Sequence, residues 1–82
     1  MAVTREEISS WFDRGVIDNQ KYMIIVCDTF DHDDYPCFFE TLESAKTKAK
    51  NPGEMQRVME IYDLTADKQK QIKMHRCFAF EF

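Results

Sequence analysis

Residues 23–39, MIIVCDTFDHDDYPCFF, limit the fold of this chain more than any other stretch. An apolar run, Met23-Ile24-Ile25-Val26-Cys27, leads into a segment carrying Asp28, Asp31, Asp33 and Asp34. Tyr35-Pro36 then turns the chain into a second apolar run, Cys37-Phe38-Phe39. This order reads as strand, acidic loop, strand, because β-prone apolar runs are bounded by residues that favour turns. Residues 22–27 are apolar at every position. A strand of that kind is central, or covered on both faces. Helix cover on one face and a partner subunit on the other would provide this. Pro36 has no N–H to give to a ladder, so it marks an edge position or the start of its strand.

The flanking segments supply helices and further strands. Thr4 is placed to cap the N–H of Glu7, with Glu7 reaching back and Val3 and Ile8 as a hydrophobic staple. Ile8, Trp11 and Phe12 form one apolar stripe, and Gly15 is placed to stop this helix in a left-handed conformation. Thr41 opens a second helix, in which Leu42, Ala45 and Ala49 make a narrow stripe ended by Asn51-Pro52-Gly53. Residues 55–64 read as a third strand. Its pleat puts Met55, Arg57, Met59 and Ile61 on one face and Gln56, Val58, Glu60 and Tyr62 on the other. Helical spacing also fits this segment, and its β-branched and aromatic content decides for strand. A short helical turn capped by Thr65 is expected over 65–72. A last strand is expected over 73–82, with Met74, Arg76, Phe78, Phe80 and Phe82 facing one way and His75, Cys77, Ala79 and Glu81 the other. The expected fold is a single α+β domain over 1–82, in the order α-β-β-α-β-(α)-β. Its mostly antiparallel four-stranded sheet packs both long helices on one face.

At 82 residues the chain buries only about 60% of its unfolded surface. With seven Phe, three Tyr and one Trp, some apolar surface is expected to lie between subunits, so a homo-oligomer is expected. A net charge of −4 argues against a binder of nucleic-acid polymers, which needs clustered Lys and Arg. Lys46, Lys48 and Lys50 read as a solvated helix face. Three cysteines, Cys27, Cys37 and Cys77, sit in apolar runs with no CxxC pair. They read as free thiols in a reducing, cytoplasmic setting, and a zinc site is not expected. No run approaches the ~18 apolar residues of a membrane span, and residues 1–20 do not read as a signal peptide.

Clustered carboxylates repel one another unless a cation, a basic partner or water compensates them. The acidic loop is therefore the leading candidate site: Asp28, Thr29, Asp31, Asp33, Asp34 and Tyr35, joined by Arg57 and Arg76. Carboxylates would accept hydrogen bonds from ribose or base amino groups, Tyr35 would stack, and an arginine would hold a phosphate. The plain alternatives are a solvated hairpin tip and arginines paired within the sheet. An EF-hand is excluded, because Leu42 stands where the bidentate Glu belongs. A looser divalent site through Asp28, Asp31 and Asp33 stays open. No nucleophilic triad can be assembled. A pairing of His75 with Cys77 has only a shared strand face behind it. With two glycines in the chain, no phosphate-cradling loop exists, and no cofactor is expected.

VCDTFDHDDYP, followed by MQRVMEIYDL, resembles a family of small uncharacterised proteins of bacteria and their phages. The resemblance covers residues 11–64. It implies a compact αβ domain with Asp28, Thr29, Phe30, Asp34, Tyr35 and Pro36 in a shared core, and it implies no activity. The leading expectation is a non-enzymatic oligomer that sequesters a small ligand, most concretely a nucleotide, as a phage counter-defence factor. The alternative is an interaction module that docks its acidic loop or sheet edge onto a host protein. A metal-dependent hydrolase is third.

Overall fold

The computed structural model describes residues 4–74 and 76–81. β1 (Tyr22–Asp28) is the middle strand of the sheet. β2 (Asp33–Phe39) and β3 (Gln56–Asp63) flank it, both antiparallel. The helices are α1 (Arg5–Ile17), α2 (Leu42–Lys50) and α3 (Lys68–Lys73), giving the order α-β-β-α-β-α.

Two expectations about the layers are overturned. The two long helices do not share a face. Met23 and Ile25 of β1 pack with Ile8 and Phe12 of α1, together with Tyr62, Leu64 and Cys77. Ile24 and Val26 pack with Ala45 and Ala49 of α2, together with Ile61. The unbroken apolar run of β1 therefore has a helix on each side, and no second subunit is needed to cover it. Each buried Ile, Val, Leu, Met and Phe side chain among them gains roughly 1.5–3 kcal/mol on burial. The small stripe of α2 brings that helix close to the sheet.

Among the described residues the sheet also has three strands rather than four. The described residues of segment 73–82 do not form the expected strand. It makes one parallel bridge, Phe78 opposite Ile61. Ile61 N–H donates to the Cys77 carbonyl at 2.7 Å, and Ala79 N–H donates to the Ile61 carbonyl at 3.0 Å. The next rung would use the backbone of Asp63, two residues on. The buried Gln71 carboxamide already holds it, accepting from Asp63 N–H at 2.7 Å and donating to the Asp63 carbonyl at 2.8 Å. His75 and Phe82, which the expected strand also included, lie outside the described residues.

The caps follow the sequence in part. Thr4 and Thr41 accept from the N–H groups of Glu7 and Ser44, as expected, while Val3 of the expected staple lies outside the described residues. Gly15 does not end α1. It lies inside the helix, where a Cβ would stand 2.6 Å from Leu64 Cδ1 and 2.8 Å from Phe38 Cε1. The stop is Asn19, at φ 60. Its N–H bonds the Val16 carbonyl and that of Gln20 bonds Gly15, the paired pattern of a left-handed helix end. Thr65 does not cap α3, because its hydroxyl and N–H are both held by Asp63. Asp67 takes the role.

The pleat of β3 also departs from strict alternation. Ile25 faces Glu60 and Val26 faces Val58, so Met59 is an extra, bulged residue. Ile61 consequently joins Val58 on the α2 side. Met59, Glu60 and Tyr62 lie on the α1 side. Among the described residues no helix is long and apolar enough to cross a membrane.

Candidate functional site

The acidic loop is a four-residue connection, residues 29–32, between the paired Asp28 and Asp33. Asp28 builds it. Its Oδ1 accepts from Phe30 N–H at 2.8 Å and from Asp31 N–H at 3.4 Å, and its carbonyl accepts from His32 N–H at 2.7 Å. This is the local side-chain capping for which Asp is favoured in turns. His32 closes the loop at φ 59. The loop after α2 braces the tip from the side: Thr29 N–H donates to the Met55 carbonyl at 2.7 Å. Met55 is itself at φ 59, a conformation that costs a methionine free energy.

The four aspartates therefore differ in role. Asp28 is used by the turn. Asp31 and Asp33 face water. Asp34 lies across from Cys27, whose other neighbour is Arg57. Burial first, then Asp34, pushes the Cys27 thiol up, which keeps it protonated and unreactive. The row Asp34–Cys27–Arg57 is on the α1 side of the sheet.

Tyr35 is on the opposite side, opposite Val26. The Gln56 side-chain amide donates to its hydroxyl, and the Gln56 carbonyl accepts from Lys48 Nζ at 3.0 Å. Lys48 Nζ also reaches the Pro52 carbonyl at 2.8 Å, so this lysine is not part of a freely solvated face. Burial pushes the Tyr35 hydroxyl up. Its ring packs against the α2-side core, not outward to stack on a ligand. Arg76 precedes Cys77, whose carbonyl bonds Ile61, five residues along β3 from Gln56. That is about 16 Å from the tip. The structure thus brings Asp28, Thr29, Asp31 and Asp33 together. It separates Asp34 and Arg57 from Tyr35 by the sheet, and Arg76 from all of them by distance. Among the described residues no three His, Cys, Asp or Glu side chains are grouped to hold a metal ion.

Sequence reasoning missed the most exposed feature of this end of the molecule. Phe30 is 73% exposed at the loop apex, and Met55 beside the tip is 55% exposed. An aromatic residue flanked by aspartates inside a turn was the available signal. A second polar group also escaped. Glu60, 6% exposed, accepts at Oε1 from Arg5 Nη1 at 3.0 Å, the Tyr62 hydroxyl at 2.8 Å and Cys77 N–H at 3.2 Å. Arg5 also donates to the Tyr62 oxygen at 2.8 Å. Burial, then Glu60, pushes the Tyr62 hydroxyl up, and the same two causes take the Cys77 thiol to about 11. This cluster ties α1, β3 and the last segment together. Its groups are paired, and Glu60, Tyr62 and Cys77 are buried, which marks structure rather than reaction.

No family model matches the chain, and neither the curated proteins nor the solved structures contain a match.

Proposed function

We propose that this protein is a non-enzymatic interaction module that docks its hairpin tip onto a partner protein. One observation carries the reading: Phe30 is 73% exposed on a tip fixed by Asp28 and Met55. A large ring held in water on a fixed tip offers an anchor to a protein surface. Asp31 and Asp33 beside it select a partner with a cationic rim around an apolar slot. Blocking of a host protein is the biological form of this reading. Sequestration of a nucleotide would require carboxylates, Tyr35 and an arginine around one cavity. The strand register puts Asp28 and Asp33 on the side of Tyr35 but Arg57 and Asp34 on the other side of the sheet.

Affinity capture from host-cell extract tests the reading, with the parent, Phe30→Ser and Asp31→Asn/Asp33→Asn compared. The expected result is one partner that the parent retains, that elutes as salt rises, and that Phe30→Ser loses by roughly tenfold or more, as for a central interface anchor. Equal retention by all three proteins overturns it. Native mass spectrometry showing an intact small molecule released on denaturation would return the protein to the sequestering class.

A further inference from the structure

We propose that the outer face of α2 is a docking surface for the hairpin tip of a second copy of this chain; the inference rests on the tip being a docking element. A shallow depression of ≈ 470 Å³ lies on that face, lined by Leu42, Glu43, Lys46, Thr47 and Lys50. Leu42 is 39% exposed there. Lys46 and Lys50 are one helical turn apart on the same face, and neither forms an ion pair among the described residues. The surface thus offers one exposed leucine beside two cations with no ion-pair partner among the described residues.

The tip presents the complementary set. Phe30 is an unburied ring, with the exposed carboxylates of Asp31 and Asp33 beside it and Glu54 next to Met55. Seating Phe30 over Leu42 removes apolar area from water on both sides. The same placement brings Asp31 and Asp33 toward Lys46 and Lys50. Glu43 is the one acidic side chain of the lining and opposes the approach. Phe30 is exposed in its own chain, so the contact forms between copies. The tip and the α2 face are different patches. Each copy donates one tip and receives another, so the contact closes as a reciprocal two-fold dimer or continues into a ring or a filament. A contact of this size is weak, with a dissociation constant of about 0.1–1 mM.

The test is sedimentation of the purified chain from about 10 μM to about 1 mM at low and high salt, with three variants. One is tip-deficient, Phe30→Ser/Asp31→Asn. One is groove-deficient, Lys46→Glu/Lys50→Glu. The third is Glu43→Gln. All the substituted positions are at or near the surface, and circular dichroism checks that each variant is folded. The parent is expected to self-associate, roughly tenfold more weakly at high salt, and Glu43→Gln to associate more tightly. Each deficient variant alone stays monomeric. Mixed, they form a one-to-one pair that grows no further, because only one intact tip and one intact groove remain. A parent that stays monomeric throughout overturns the inference, as does association that survives either deficient variant or a mixture that does not pair. If the tip nevertheless captures another protein from extract, the proposed function stands and only the identity of the partner as a second copy has failed. If extract capture ignores Phe30 as well, both fall.

Discussion

A glycine inside a helix is normally a weakness of about 1 kcal/mol relative to alanine. Gly15 is retained in α1 because Leu64 and Phe38 occupy the space where a side chain would start. Gly15→Val is expected to lower stability by about 1–3 kcal/mol through overpacking. Thermal unfolding would show this as a fall of several degrees in Tm, and an unchanged Tm would refute the close contact. From sequence alone the same glycine reads as a helix stop, since its value here depends on residues distant in the chain. Asn19, the actual stop, carried a weaker signal because asparagine adopts φ > 0 less readily than glycine. Cys77 gives a prediction with a defined sign. Its thiol rises from 9.0 to about 11 on folding, so the unfolded chain loses this proton first. Stability therefore falls as pH rises from about 9 towards 11, by at most about 3 kcal/mol for two units. Tyr62 adds to the fall from about pH 10 upwards, because its hydroxyl is also pushed up. Chemical denaturation across that range should show a shallower decline in Cys77→Ala than in the parent.

Among the elements, α1, α2 and the first three strands were legible because their signals are local: threonine caps, apolar stripes and the Asp–Pro break. The end of the chain was not. Its alternation of apolar residues satisfies the pattern of a strand, but strand formation also needs free donors and acceptors on the neighbouring edge. Gln71 takes those of Asp63, and Glu60 takes the N–H of Cys77. Nothing in a period-of-two count reveals a side-chain amide standing in for a strand. Gln71→Leu is expected to destabilise the protein by about 1–3 kcal/mol, because it leaves the N–H and C=O of Asp63 without their partner. Hydrogen exchange should quicken at Asp63 and Ala79 more than in β1. A uniform change across the sheet would count against Gln71 as the local clamp.

For the whole molecule, the strand register separates the core from the exposed tip. The core is divided between the two faces of the sheet, while the tip projects from one end with Phe30 in water. Phe30→Ser should therefore leave the denaturation midpoint within about 0.5 kcal/mol of the parent, as for a surface change, even where it abolishes partner capture. The acidic residues of the candidate site were legible in the sequence; their sidedness was not, because it depends on pairing. Met59 has the widest consequence. The extra residue resets the count along β3, so that Val58 and Ile61 share one side while Glu60 and Tyr62 share the other. Among descendants of a common ancestral chain, the spelling of this strand is thus tied to its bulge. A lineage that loses this one codon restores strict alternation and keeps its glutamate and tyrosine in place, whereas one that keeps the extra residue but straightens the strand leaves the arginine of the first helix facing an isoleucine.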